Sequence, residues 1–362
     1  MKTICYKIVF ALLLVPILGF AGNEWSGRHT KQKRISKSYT VSPDALLKIE
    51  NSYGNIDIST WNENRIEIEV IIKTNGNDEE QVIERLKEID VDFSGSSSRV
   101  SAITRFEKQD RSWWNNLFGS SSNVNMEINY RVKAPVTNNV ELSNDYGSIA
   151  LDRLEGNATI ACDYGKLLIG DLLGTRNLLV FDYTRNSQID FIKRGKIVAD
   201  YSQFTVGEAG TLEVVADYTD SNIKKVENLN FTADYGSISV DKVRNLVGEG
   251  DYLGTKLGLV YGSVELDLDY GSARIEKIMK SVQKVEISSD YTGIKIGYDD
   301  GSPFRFNIKT SYGSVRGIDG SGFELNKRHQ DSSDDYLEGY YRSNSGGLVT
   351  IDASYANITF TN

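Results

Sequence analysis

The dipeptide Asp-Tyr returns nine times between residues 145 and 291. Its tyrosines are Tyr146, Tyr164, Tyr183, Tyr201, Tyr218, Tyr235, Tyr252, Tyr270 and Tyr291, at steps of 18, 19, 18, 17, 17, 17, 18 and 21 residues. A fixed period near 18 with so strict a marker belongs to stacked repeats, in which each unit leans on the next. Within a unit, Leu229, Phe231, Ala233 and Tyr235 share one parity and Asp234 falls on the other. That is strand periodicity with one buried face. The pattern recurs at Leu179, Phe181 and Tyr183, at Leu212, Val214, Ala216 and Tyr218, and at Val285, Ile287 and Tyr291.

The residue after the tyrosine is usually small or turn-permissive: Gly147, Gly165, Thr184, Ser202, Thr219, Gly236, Gly271 and Thr292. This reads as a sharp corner at which Gly supplies a backbone conformation that other residues resist. Beyond it, Ile238 and Val240 resume the alternation on a second strand. Two short strands cannot bury their apolar face alone, whereas coils stacked on one another can. The expected fold is all-β: a parallel β-solenoid, taken as a right-handed β-helix, of about 18-residue coils. About ten coils spaced by about 4.8 Å would make a rod roughly 50 Å long. The 32 Gly, 20 Tyr and only 4 Pro in 362 residues agree with β-structure rich in corners.

Ahead of the repeats, residues 1–21 read as a cleaved signal peptide. Lys2 and Lys7 precede an apolar run over 8–18, and Gly19-Phe20-Ala21 suits cleavage after Ala21. The run is short for a membrane anchor, and Cys5 precedes it, so it does not mark lipid attachment. The mature chain is expected in the periplasm or at the cell surface, with no later transmembrane segment. Losing Lys2 and Lys7 takes the formal charge from −9 to −11. Such an acidic chain is not expected to bind nucleic acid and is repelled by anionic lipid. Cys162 alone survives processing, in the alternation Ala158, Ile160, Cys162, Tyr164, as a buried stack position.

Residues 22–140 read as a small α+β cap carrying the first coils. It opens on a basic, solvated lead-in with Arg28, Lys31, Lys33, Arg34 and Lys37. Asn51-Ser52-Tyr53-Gly54-Asn55-Ile56-Asp57-Ile58 forms a first corner unit, and Ile66, Ile68, Val70 and Ile72 a half-buried strand. Asp78, Glu79 and Glu80 open a helix with Val82, Ile83, Leu86 and Ile89 on one face. Strands follow over 100–106 and 126–132. Such a cap covers the otherwise open end of a stack. Residues 141–362 are the repeats, with a polar insertion near 321–346 before a closing coil over 348–360.

Candidate functional residues fall in four groups. Trp113, Trp114, Leu117 and Phe118 sit in a Ser/Gly/Asn-rich loop, either projecting as a contact element or folding back to seal the cap. Tyr336, Tyr340 and Tyr341 lie in the polar insertion, either a variable surface loop or one that reads a ligand. The recurrent aspartates, among them Asp163, Asp182, Asp200, Asp217, Asp234 and Asp251, form an acidic ladder. Its charges are offset either by corner backbone amides or by calcium; beyond that calcium, no cofactor is indicated. The tyrosines form a structural ladder, internal by parity, with a sugar-stacking stripe as the rival. Catalysis has little support: His29 and His329 both lie in polar segments, and neither a phosphate-cradling loop nor a zinc spacing occurs. The enzymatic alternative, a polysaccharide lyase or hydrolase on a β-helix, should break the repeat at one coil, yet the carboxylates recur on every coil.

The chain also resembles a known family. A signal peptide, then Asn-Ser-Tyr-Gly-Asn-Ile-Asp-Ile over 51–58, Thr60-Trp61-Asn62, the strand over 66–72, a short helix, and Ala134-Pro135 before serial Asp-Tyr-Gly units are similar to the putative-adhesin family of unknown function. These are exported β-solenoids of the Bacteroidetes type, more distantly related to auto-transporter adhesin head domains. The resemblance spans nearly the whole mature chain. It implies an exported, non-enzymatic, adhesin-like binding or scaffold protein of the cell envelope whose partner is an envelope or surface protein or a glycan. It brings no catalytic residues with it.

Overall fold

The computed structural model describes residues 25–107 and 124–362. Among them 26 strands form one mixed sheet, with a single α-helix, Glu79–Glu88. The signal-peptide residues lie outside the described part, and no described helix is long and apolar enough to cross a membrane.

Through the middle of the chain, pairing is parallel and follows the repeat. Asp145 faces Asp163, Asp163 faces Asp182, Asp182 faces Asp200, Asp200 faces Asp217 and Asp217 faces Asp234. Paired strand residues thus have their counterparts directly above and below. One interior column runs Leu142, Ile160, Leu179, Ile197, Val214, Phe231, Gly248, Leu266 and Ile287. Gly248 is there for volume: a Cβ on it would lie 2.1 Å from the Phe231 ring, so the glycine admits the larger neighbour.

Each rung has more sides than the two strands expected. In the strand Asp220–Asp234 the inward residues are Ser221, Ile223, Val226, Leu229, Phe231 and Ala233. The two-residue alternation lengthens to three at Ile223–Val226 and again at Val226–Leu229. Such a step keeps successive side chains inward only if the backbone bends between them. With the Asp-Tyr corner, each rung bends three times. The bend equivalent to Ile223–Val226 often carries glycine, as at Gly170, where a Cβ would sit 1.6 Å from the Asp152 carbonyl oxygen of the rung beneath.

Antiparallel strands occupy both ends. At the N-terminal end, Arg99–Phe106 and Asn125–Pro135 lie parallel on Leu46–Ser52 and Ile56–Trp61. Arg65–Gly76 then pairs antiparallel with Asn125–Pro135, His29–Thr40 with Arg65–Gly76, and Ile89–Gly95 with Arg99–Phe106. The basic segment expected as a solvated lead-in is therefore the edge strand His29–Thr40. Three of its charges are paired, Lys31 at 2.6 Å from Glu79, Arg34 at 2.6 Å from Glu69 and Lys33 at 3.7 Å from Asp90. A lysine-rich edge discourages pairing with further chains. The helix starts where its pattern places it, the Asp78 side chain accepting from the Glu80 and Gln81 amides and Val82 buried, but it ends at Glu88, and Ile89, expected on its apolar face, instead opens the strand Ile89–Gly95.

At the C-terminal end, chain order and stacking order part. Residues 348–360 do not close the stack. The strand Gly347–Ser354 lies between Lys284–Asp290 and Phe304–Ser311, parallel to both, and Asn357–Thr361 likewise lies between Gly293–Tyr298 and Ser314–Arg316. The closing element is the hairpin Phe323–Gln330 and Asp334–Tyr341, laid antiparallel on Phe304–Ser311. Tyr298, Phe304, Phe306, Phe323, Tyr341 and Phe360 pack together beneath it with ring centroids 4.7–6.3 Å apart.

Candidate functional site

The tyrosines form a ladder, but on the outside. All twelve corner tyrosines, from Tyr53 to Tyr355, hold φ between 51° and 64°. That left-handed conformation reverses the side chain against the strand alternation, so parity, which places these rings inward, fails at this residue. From Tyr146 onward the rings are 44–64% exposed. They stack in the order 53, 146, 164, 183, 201, 218, 235, 252, 270, 291, 355, 312, with centroids 4.6–5.3 Å apart and planes within 11° of parallel. Each inner ring is covered on both faces by its neighbours. The strip therefore presents ring edges and phenol hydroxyls, and a sugar has no free face to stack on except at the two ends.

The glycine after the tyrosine has a different task from the one its composition suggests. The unusual φ belongs to Tyr146, whereas a Cβ on Gly147 would lie 1.8 Å from the Gly54 carbonyl oxygen of the next rung. Where Ser or Thr takes this place, the side chain turns inward: Ser202 Oγ donates to the Asp200 carbonyl at 2.8 Å and Thr219 Oγ1 to that of Asp217 at 2.9 Å. Beneath a glycine corner the residue before Asp serves instead. Asn144 Nδ2 donates to the Gly54 carbonyl at 2.8 Å, and Cys162 Sγ to that of Gly147 at 3.4 Å. Burial pushes the Cys162 thiol up to about 12, so it stays protonated.

The aspartates close the corner's backbone. Asp163, Asp182, Asp200, Asp217, Asp234 and Asp269 each accept, through Oδ1, the amide of the aspartate on the following rung at 2.8–3.3 Å. Each tyrosine amide in turn donates to that next aspartate's carbonyl, as from Tyr218 to Asp234 at 2.9 Å. Among the described residues, no lysine or arginine pairs with any carboxylate of this row, and no three His, Cys, Asp or Glu side chains converge as metal ligands. The six aspartates read as calcium ligands, Asp163 to Asp251, stand one to a rung. At one end, burial raises the Asp145 carboxyl above its usual range, a shift opposed by Ser52.

Of the hairpin tyrosines, Tyr341 is buried in the terminal aromatic cluster and cannot meet a partner. Packing of the hairpin on Phe304–Ser311 places it there, where a free loop would have left it outside. Tyr336 and Tyr340 are half-buried, with Lys327 Nζ 5.0 Å above the Tyr336 ring. Trp113, Trp114, Leu117 and Phe118 lie outside the described residues. The histidines are far apart in the fold: His29 stands 3.9 Å from Glu79, and His329 lies on the exposed strand Phe323–Gln330.

A second surface feature joins residues that the sequence does not single out. Four strands at the N-terminal end align Ser36, Glu69, Arg131 and Asp57 in one cross-strand row, and Ser38, Glu67, Lys133 and Ser59 in the next. These eight face a trough of about 680 Å³. Period-two polar positions are visible in each strand, but only the pairing register brings the strands' polar faces together.

No family model matches the chain, and no curated protein matches it. Among solved structures, one named a putative adhesin from Parabacteroides merdae shares 9% identity, with 91% of this chain and 97% of that one covered and a TM-score of 0.33. A putative cell adhesion protein from Clostridium sporogenes shares 12%, covering 91% and 99%, with a TM-score of 0.18. A putative lipid binding protein from Parabacteroides distasonis shares 9%, covering 93% and 98%, with a TM-score of 0.31. Likenesses this low assign this chain neither an activity nor a ligand.

Proposed function

We propose that this chain is an exported, adhesin-like binding or scaffold protein of the bacterial cell envelope, built as a parallel β-solenoid with a cap over residues 22–140. The tyrosine ladder carries the reading. It is a straight strip of half-exposed aromatic edges and hydroxyls, held at one spacing by a stack in which every rung fixes the next. Such a strip costs little to order on binding, because its conformation is set before a partner arrives. It suits an extended partner, an envelope or surface protein or a glycan, met along its length. The reading is non-enzymatic: each rung repeats the same carboxylate, most of these accept a backbone amide, and the two histidines stand apart. No cofactor is assigned.

Export rests on residues 1–21 and is tested together with location. Protease is applied to intact cells that make the protein and to cells with a permeabilised outer membrane. Digestion of intact cells is the expected result. Protection until permeabilisation would remove surface adhesion and leave a periplasmic scaffold. Release of reducing or unsaturated sugar ends from polysaccharides by the purified chain would overturn the non-enzymatic reading.

A further inference from the structure

The trough at the N-terminal end is chemically unlike the ladder. On its face Arg34, Arg131 and Lys133 stand against Asp57, Glu67 and Glu69, so its charges balance, while the Lys37 side chain points to the other face, over the Phe93 ring. Its volume falls within the range of small-ligand sites. Some of its groups are committed: Glu69 binds Arg34 at 2.6 Å, Glu67 lies 3.1 Å from Arg65, and Lys133 stands over the Trp61 ring at 5.5 Å. Others are not. The Asp57 carboxylate and the hydroxyls of Ser36, Ser38 and Ser59 have no side-chain hydrogen bond, and Arg131, the cross-strand neighbour of Asp57, makes its one close ion pair with Glu69, at 3.8 Å.

A cationic ligand would meet Arg131 and Lys133 beside Asp57, and an anionic one would meet three carboxylates. An apolar ligand would strip water from charges without replacing it. A neutral ligand dense in hydroxyl groups avoids each penalty, since a hydroxyl both donates and accepts. Its O–H groups can donate to the Asp57 carboxylate, and its oxygens can accept from Arg131 and the three serines.

We propose that this trough is a binding site for a neutral oligosaccharide, with Asp57 and Arg131 as its principal contacts. The site is separate from the tyrosine strip and does not depend on that strip's role. The state of Asp57 agrees with it. Although Asp57 is exposed, partial desolvation raises its carboxyl above the usual range, against the opposing pull of Arg131. An ionised Asp57 at neutral pH therefore costs the fold stability instead of supplying it. A carboxylate kept there without a structural partner is free for a ligand.

The test uses the full mature chain on an array of neutral oligosaccharides, with acidic and amino-sugar oligosaccharides and unrelated extended peptides as the other arms. Titration calorimetry follows on the strongest hit. Binding of at least one neutral oligosaccharide is expected, weakened tenfold or more by Asp57→Asn, with the melting temperature of that variant unchanged or raised. Arg131→Gln should weaken the same ligand, and Ser59→Leu should obstruct the trough beside Lys133 and weaken binding tenfold or more. The proposal fails if no neutral oligosaccharide binds. It fails equally if binding is confined to charged sugars or peptides, if both Asp57→Asn and Ser59→Leu leave affinity intact, or if Asp57→Asn lowers the melting temperature as a structural residue would.

Discussion

At the scale of single residues, the corner sets one unfavourable local choice against favourable stacking. A non-glycine residue in the left-handed region costs about 1–2 kcal/mol, and each stacked aromatic pair returns about 0.5–1.5 kcal/mol. Tyr218 stacks on Tyr201 at 4.8 Å and on Tyr235 at 4.9 Å. Tyr218→Ala keeps the strain and loses both contacts, so it should destabilise by about 1–3 kcal/mol. Tyr218→Gly loses the same contacts but relieves the strain, and should unfold about 1 kcal/mol later than the alanine variant. Denaturant midpoints decide this, and glycine no better than alanine would show that the φ angle is not a cost. The glycines divide on different grounds. Gly147→Ala drives a Cβ into the Gly54 carbonyl, whereas a Cβ on Gly293 meets nothing within 4 Å. The first should cost on the order of 3 kcal/mol and the second almost nothing in the same assay. Equal effects would contradict the close approach of the rungs.

Among the elements, the C-terminal rung is the one whose position chain order misstates. A terminal strand ordinarily frays, because one of its edges is free. The strand Gly347–Ser354 has neighbours on both edges, so its amides should exchange as slowly as those of Gln203–Asp217. Exchange at the rate of the edge strand Phe323–Gln330 would place it outside the stack. The interruption itself is legible in sequence, since the Asp-Tyr period fails after Tyr291. What fills the gap is not, because parity and spacing describe one strand at a time and say nothing of which strands neighbour each other. The same limit hid the trough, whose polar rows exist only through the register of four strands. The repeat, the start of the helix at Asp78 and the buried Cys162 are local or strictly periodic, and they could be read directly, whereas for the aspartates the sequence leaves amide acceptance and calcium both open. The tyrosine strip could be located but not sided, because one left-handed residue inverts a parity argument.

For the whole molecule, the ladder makes alkaline pH a collective stress. Tyr201 and Tyr235 titrate above the ordinary 10.0, first because the flanking rings take them partly out of water, then because neighbouring tyrosines and aspartates oppose a negative charge. In the unfolded chain the same phenols ionise near 10. Between those two values the folded state holds more protons than the unfolded one, so stability falls as pH rises. The contribution of Tyr201 and Tyr235 is therefore complete below pH 10 and is lost as pH climbs through their raised folded values. The loss should also be cooperative along the axis. Once one ring is charged, its stacked neighbours are held neutral more strongly, and relief comes only by separating rungs. Phenolate absorbance followed in native buffer should rise at higher pH than in denaturant, and the melting temperature should begin to drop above pH 10, in step with that rise. Coincident native and denatured titrations, or a melting temperature flat across the phenolate transition, would mean that the stacked rings do not couple to the stability of the stack.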